Sequence, residues 1–172
     1  AAYAKTRVAA AREKFPLEEI RELARRRDDD GGRIFRDALA KPGLGFICEV
    51  KKASPSKGVI SPDFPYLSIA RDYEAAGADA ISCLTEPKWF LGSDEIFREI
   101  RANVSTPMLR KDFVVDEYQL YEAKLLGANA VLLICALLET RTLERFLGVC
   151  HELGLAALTE TRDEGEIASA VK

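Results

Sequence analysis

Glu49 and Lys51 stand two residues apart at the end of a largely apolar run, Phe46-Ile47-Cys48-Glu49-Val50-Lys51. On an extended strand that spacing points both side chains to the same face. An apolar strand has no structural need for a carboxylate and an ammonium on one side. The pair is either a salt-bridged strand end or acid–base machinery. The residues that follow, Ser54-Pro55-Ser56-Lys57-Gly58, offer hydroxyls and pliant backbone that suit an anion. The pattern then recurs. Pro107-Met108-Leu109-Arg110-Lys111-Asp112-Phe113 runs from apolar residues into Lys111 and Asp112, and Leu155-Ala156-Ala157-Leu158-Thr159-Glu160 closes on Glu160. Ionisable groups at the C-terminal ends of separate strands are where barrel and open α/β enzymes place their sites. The recurrence favours chemistry over isolated ion pairs.

Other chemistries find little support. The only histidine, His151, falls on a helix beside Cys150 with no ligand cluster around it, which argues against a zinc site. Without histidine or a metal, a general acid here is a lysine or a carboxylic acid. Cys48, Cys83, Cys135 and Cys150 show no CxxC spacing and read as reduced thiols, three of them in or at the end of apolar strands. A net charge of −3 gives no basic field for nucleic acid. Arg25-Arg26-Arg27 is cancelled at once by Asp28-Asp29-Asp30 and reads as a solvated helix end. No apolar run approaches the ~20 residues of a membrane span. Ala1-Ala2-Tyr3-Ala4-Lys5 lacks the apolar core of a signal peptide. The expectation is a cytoplasmic protein without cofactor, metal, nucleic acid or membrane partner.

The elements that must hold these groups follow from periodicity and breakers. Helices are expected over Ala1–Lys14, Leu17–Arg27 and Arg33–Ala40, with Pro16 in the first turn of the second. Lys41-Pro42-Gly43 breaks the pattern, and strands then alternate with helices. The strands are Phe46–Lys51, Ala80–Thr85, Met108–Lys111, Ala130–Ile134 and Ala156–Glu160. The helices are Tyr66–Ala76, Ser93–Arg101, Asp116–Leu126, Glu139–Leu153 and Asp163–Val171, with Ser93 an N-cap. Gly77, Gly127 and Gly154 each end a helix a few residues before a strand. The expected organisation is one domain, residues 1–172, with residues 1–44 a helical extension and residues 45–172 five βα units. Alternation implies a parallel sheet with right-handed crossovers. It could be an open doubly wound sheet or a (β/α)8 barrel. No GxGxxG follows the first strand, and the ionisable groups come from strands one, three and five, so the barrel is favoured. Five units fall short of the eight a barrel needs.

At these residues the chain closely resembles the indole-3-glycerol phosphate synthase family. Glu49-Val50-Lys51-Lys52-Ala53-Ser54-Pro55-Ser56 resembles the family's first-strand signature. Leu84-Thr85-Glu86-Pro87-Lys88-Trp89-Phe90-Leu91-Gly92-Ser93 resembles its second βα loop. Pro107 to Phe113 and Gly127 to Ile134 resemble its third and fourth strands. The resemblance implies an α/β protein of the TIM (β/α)8-barrel family, here the N-terminal helical extension and about five βα units of an incomplete barrel. The family's Asn-x-Arg, Glu-Ser-Gly and Gly-Ser strand ends have no counterpart in the sequence.

By the same resemblance the reaction is the decarboxylating ring closure of 1-(2-carboxyphenylamino)-1-deoxyribulose 5-phosphate in tryptophan biosynthesis. Lys111 would be the general acid. Lys51 would hold the substrate carboxylate or act as acid in the dehydration, and the division between the two lysines stays open. Glu160 would stabilise positive charge near the anilino nitrogen or take the final proton, and Glu49 would orient Lys51. Ser54 would touch the phosphate, with Ser56 and Lys57 as weaker contacts. Phe90 and Phe113 would line the anthranilate pocket, or simply be core. Leu133 fits the pocket wall and fits the core equally. Asp112 would either support Lys111 at the substrate site or cap a helix, and Trp89 would pack beside the mouth. Implied partners are the small phosphorylated substrate, other tryptophan-pathway enzymes, or a complementary C-terminal segment. Two other readings stay open: a Schiff-base lysine aldolase using Lys111 or Lys51, and a catalytically inactive barrel fragment.

Overall fold

The structure is a computed structural model that describes residues 2–171. Ala1 of the first expected helix lies outside the described residues. Three helices lead: α1 (Ala2–Lys14), α2 (Leu17–Arg25) and α3 (Gly31–Leu39). Strand β1 (Ile47–Val50) follows, then a short hairpin of β2 (Ala53–Ser54) and β3 (Gly58–Val59). The chain continues through α4 (Tyr66–Ala75), β4 (Ala80–Leu84), α5 (Asp94–Asn103), β5 (Met108–Lys111) and α6 (Tyr118–Leu126). It closes with β6 (Ala130–Ile134), a 3-10 turn (Cys135–Leu137), α7 (Thr140–Glu152), β7 (Ala156–Glu160) and α8 (Glu164–Ala170). The five long strands form one parallel sheet in the sequential order β1-β4-β5-β6-β7.

Alternation along the strands sorts the core into two layers. Ile81, Cys83, Met108, Val131 and Leu133 face the helices, where they pack with Phe97, Ile100, Leu120, Tyr121 and Phe146. The opposite face begins with Ala80, Leu109, Ala130 and Ala156 at the N-terminal ends of the strands, and Phe35 of α3 packs against them. Three alanines there leave room for the ring. Burying a phenylalanine side chain stabilises by about 1.5–3 kcal/mol, so α3 is held by the fit.

Helix α3 starts two residues earlier than the expected Arg33. Asp30 caps it by accepting from the Arg33 amide at 3.0 Å. Gly32 passes so close to β7 that a Cβ there would stand 2.4 Å from the Ala156 nitrogen. The glycine pair marks a tight crossing, not a break. Ser93 caps α5 as expected, accepting from the Ile96 amide at 3.1 Å. Pro16 stands at the N-cap of α2, one residue before the first turn.

The arginine–aspartate run is an exposed helix end and loop, as expected, and it is also tethered. Lys124 of α6 is buried and donates to Asp29 at its carbonyl, 2.6 Å, and its carboxylate, 2.8 Å, while Arg27 donates to the Leu125 carbonyl at 3.0 Å. These contacts fasten the α2–α3 connection to α6. Cys150 lies on the buried face of α7, while His151 beside it is exposed. All four cysteines are free, and Cys48 alone is only half-buried.

Candidate functional site

The same alternation that builds the core sends Glu49 and Lys51 of the β1 end, Lys111 of β5 and Glu160 of β7 to the inner face. In the sheet Leu84 is paired with Lys111, and Ile134 with Glu160, so the strands end level. A cavity of about 300 Å³ opens at this C-terminal rim, lined by those four ionisable residues and by Leu84, Glu86, Phe90, Asp112, Phe113, Leu132, Ile134 and Arg162. A second hollow of about 370 Å³ shares Glu49, Lys111, Leu132 and Glu160 with it and runs down the inner face past Ser82 and Leu109. A larger cavity, about 560 Å³, lies at the opposite end between α3 and β7, with Phe35, Leu39 and Leu155 in its lining; no cluster of acids and lysines converges there.

Glu49 is the hub. One carboxylate oxygen accepts from Lys51 Nζ and the other from Lys111 Nζ. Burial alone would raise its carboxyl; hydrogen bonds and charge from the two lysines outweigh that and hold it below its ordinary value. The carboxylate is therefore ionised at neutral pH, between Lys51 at the end of its own strand and Lys111, which is 62 residues from Glu49 along the chain. On the far side Glu160 is half-buried, with Arg162 Nη2 3.4 Å from its carboxylate. The apolar wall is an aromatic pair: the Phe90 and Phe113 rings are 6.2 Å apart and tilted by 58°. A tilted aromatic pair of this kind suits contact with a flat aromatic guest.

Phe90 is positioned by the loop that follows β4. Glu86 turns its carboxylate inward and accepts from the backbone amides of Lys88, Trp89 and Phe90 at 3.1, 2.6 and 3.1 Å. Gly92 then passes against β4, where a Cβ would meet the Leu84 carbonyl oxygen at 2.1 Å. Both residues lie in the quoted Leu84 to Ser93 segment. The available signal was a carboxylate and a glycine flanking the aromatic residues.

Leu133 and Ser54 stand off the cavity lining. Leu133 is fully buried and faces the helices; Leu132 and Ile134, one residue either side, line the cavity. Strand period alone decides that correction. Asp112 lines the cavity, but its carboxylate is buried and engaged by protein donors. One oxygen accepts from Arg7 Nη2 at 2.7 Å and from the Phe113 amide at 2.8 Å, and the other accepts from Thr85 Oγ1 at 2.8 Å. Ser54 lies on β2, its hydroxyl 3.5 Å from that of Ser56, and is not a lining residue of the cavity. Trp89 is 52% exposed rather than packed, with Lys88 Nζ 4.9 Å from its ring centre.

The unanticipated residue is Arg110. Facing the helices between Leu109 and Lys111, it is fully buried and meets Asp94 at 3.0 Å, Glu122 at 3.4 Å and the Gln119 carbonyl at 3.0 Å. Burial opposes its charge; the surrounding carboxylates outweigh that and keep its pKa raised. For Glu122 burial wins, and its carboxyl is pushed up.

The family model for indole-3-glycerol phosphate synthase matches residues 1–172. The chain belongs to that family. It is 49% identical over 172 residues to an indole-3-glycerol phosphate synthase of Ruminiclostridium cellulolyticum, covering all of this chain and 66% of the relative. It is 55% identical over 138 residues to the synthase of Endomicrobium trichonymphae, covering 80% of this chain and 54% of the relative. The chain thus spans about half to two-thirds of the length of these synthases. Among solved structures, a mandelate oxidase mutant with (S)-mandelic acid superimposes with TM-score 0.57 at 14% identity, over 80% of this chain and 48% of that one. Mandelate oxidase with benzoyl-formic acid gives 0.55 at 14% identity, again over 80% and 48%. At such identity the likeness shows the fold alone. As a member of the synthase family the chain has TIM-barrel architecture, of which it supplies the leading helices and five βα units.

Proposed function

We propose that this chain carries the acid–base cluster of an indole-3-glycerol phosphate synthase, a carboxy-lyase of tryptophan biosynthesis. The observation that carries the reading is Glu49 bridging Lys51 and Lys111 at the strand ends, beside the Phe90–Phe113 wall and across from Glu160. Family membership supports the substrate, 1-(2-carboxyphenylamino)-1-deoxyribulose 5-phosphate, and the products indole-3-glycerol phosphate, carbon dioxide and water.

The anthranilate ring lies against Phe90 and Phe113. Its carboxylate-bearing carbon attacks the ketone carbon, and the carbonyl oxygen takes a proton from Lys111 Nζ. The carboxylate departs as carbon dioxide, and its bonding electrons restore the aromatic ring. The new hydroxyl leaves as water with a proton from Lys51, and Glu160 removes the last proton to complete the indole. Two protons enter and one leaves, as decarboxylation of a carboxylate requires. Glu49 keeps both ammonium groups aimed at the reacting oxygen, and positioning of this kind accounts for several kcal/mol of barrier lowering. Asp112 acts behind Lys111, not on the substrate. Ser54 and the amides of the β2–β3 hairpin take the phosphate. The same reading extends to a cytoplasmic setting, to partners of the same pathway, and to a C-terminal segment that covers the outer edges of β1 and β7.

Incubating the whole protein with the carboxyl-labelled substrate tests the proposal. The expected result is an indole product by mass and fluorescence, one equivalent of labelled carbon dioxide, and no borohydride-trapped adduct. Absence of indole, or a reduced adduct on Lys51 or Lys111, contradicts it; the adduct points instead to a Schiff-base aldolase.

A further inference from the structure

Helix α1 lies far from the cavity in sequence, yet it grips both segments that present the aromatic wall. Arg7 reaches the carboxylate of Asp112, the residue between Lys111 and Phe113, and the same carboxylate is held by Thr85 at the end of β4. The Asp112 side chain is only 1% exposed, and Arg110 Nη2 stands 3.9 Å away. One turn earlier on the same helix face, the Tyr3 ring lies 5.3 Å from Lys88 Nζ, whose other aromatic neighbour is Trp89 at 4.9 Å. Arg7 itself is stacked 5.9 Å over the Tyr3 ring. Tyr3 and Arg7 thus touch the Phe90 loop and the Lys111–Phe113 strand end together.

We infer that α1 is a brace across the two segments, with Arg7 a positioning residue that sets Lys111 and Phe113 through Asp112. The inference rests on the catalytic reading above for its effect on turnover, but not for its effect on the loop. Without Arg7 the Asp112 carboxylate keeps Thr85 and the Phe113 amide but loses its short charged partner. The strand end is then free to shift, and displacements near 1 Å at a reacting group cost roughly a hundredfold in rate.

The experiment compares Arg7→Ala, Arg7→Lys and Arg12→Ala with wild type, in the whole protein and at a temperature where all four are folded by circular dichroism. Arg12→Ala is the control, because Arg12, on the same helix as Arg7, pairs with Asp116 at 2.6 Å and does not touch Asp112. Turnover and amide hydrogen exchange over residues 111–113, which hold Asp112 and the Phe113 amide it accepts from, are both read. Arg7→Ala is expected to lower kcat about 10- to 100-fold with KM changed less than about threefold. Exchange should quicken, Arg7→Lys should recover most of both effects, and Arg12→Ala should stay near wild type. Unchanged exchange in Arg7→Ala overturns the inference, as does an equal loss of kcat in Arg12→Ala, which would mean general helix docking. If wild type forms no indole, the catalytic reading fails, and exchange alone still decides whether Arg7 holds the loop.

Discussion

Two lysines share one carboxylate at the rim, and neither ammonium is held by strand geometry alone. Glu49 accepts on both oxygens, something a neutral amide cannot do for two charged donors. Glu49→Gln is therefore expected to lower turnover about a hundredfold with the fold intact by circular dichroism, since an acid that has lost its aim loses most of its effect. Turnover within about twofold of wild type would mean that the lysines are aimed by something else. The convergence of Glu49, Lys51, Lys111 and Glu160 on one cavity was legible, because each ionisable group stands at the end of an apolar strand. Residues whose role depends on direction or distance were less legible. Leu133 and Leu132 are chemically identical, and only the pleat separates wall from core. Arg110 was hidden between two inward-facing residues, and its carboxylate partners lie 12 and 16 residues away along the chain.

At the scale of elements, breakers and caps made the βα alternation readable. Gly77 and Gly127 take positive φ, +85° and +82°, where the helices before β4 and β6 end. The β2–β3 hairpin escaped because two-residue strands carry no periodicity and its Ser-Pro-Ser-Lys tip reads as loop. Joins between elements rely on side chains the sequence does not flag. Glu74 near the end of α4 is one. It accepts from the Ser105 amide and hydroxyl at 2.7 and 2.8 Å and from the Thr106 amide and hydroxyl at 2.9 and 3.0 Å, clamping the turn before β5. Hydrogen bonds from the Ser105 hydroxyl and the Thr106 and Ser105 amides hold its carboxyl down at about 2, against an ordinary 4.5. A depressed native pKa contributes stability that is present above the unfolded value and lost as pH falls through the native one. Wild type should therefore melt higher than Glu74→Gln above pH 4.5, with the gap closing between pH 4.5 and 2. A gap that stays constant across that window, in thermal melts at matched ionic strength, would show that the charge is not what clamps the turn.

For the molecule as a whole, the helices before β1 are structural partners of the site. α3 fills the N-terminal end of the sheet with Phe35, α2 lies along α6, and α1 reaches Asp112 behind Lys111. None of this is readable from local sequence, because Arg7 and Asp112 are 105 residues apart. The outer edges of β1 and β7 have no strand partner among the described residues, and Phe46, Ile47 and Leu158 are exposed beside them. Exposed apolar edges of that kind invite pairing with further strands. The claim on which the rest depends is that groups from β1, β5 and β7 work on one bound molecule. Single-turnover ring closure in the whole protein, wild type against Lys111→Met, tests it most directly when substrate affinity is measured alongside. The expected result is ring closure slower by about 10²–10⁴-fold with affinity changed less than about threefold. Ring closure at the wild-type rate in Lys111→Met would contradict it.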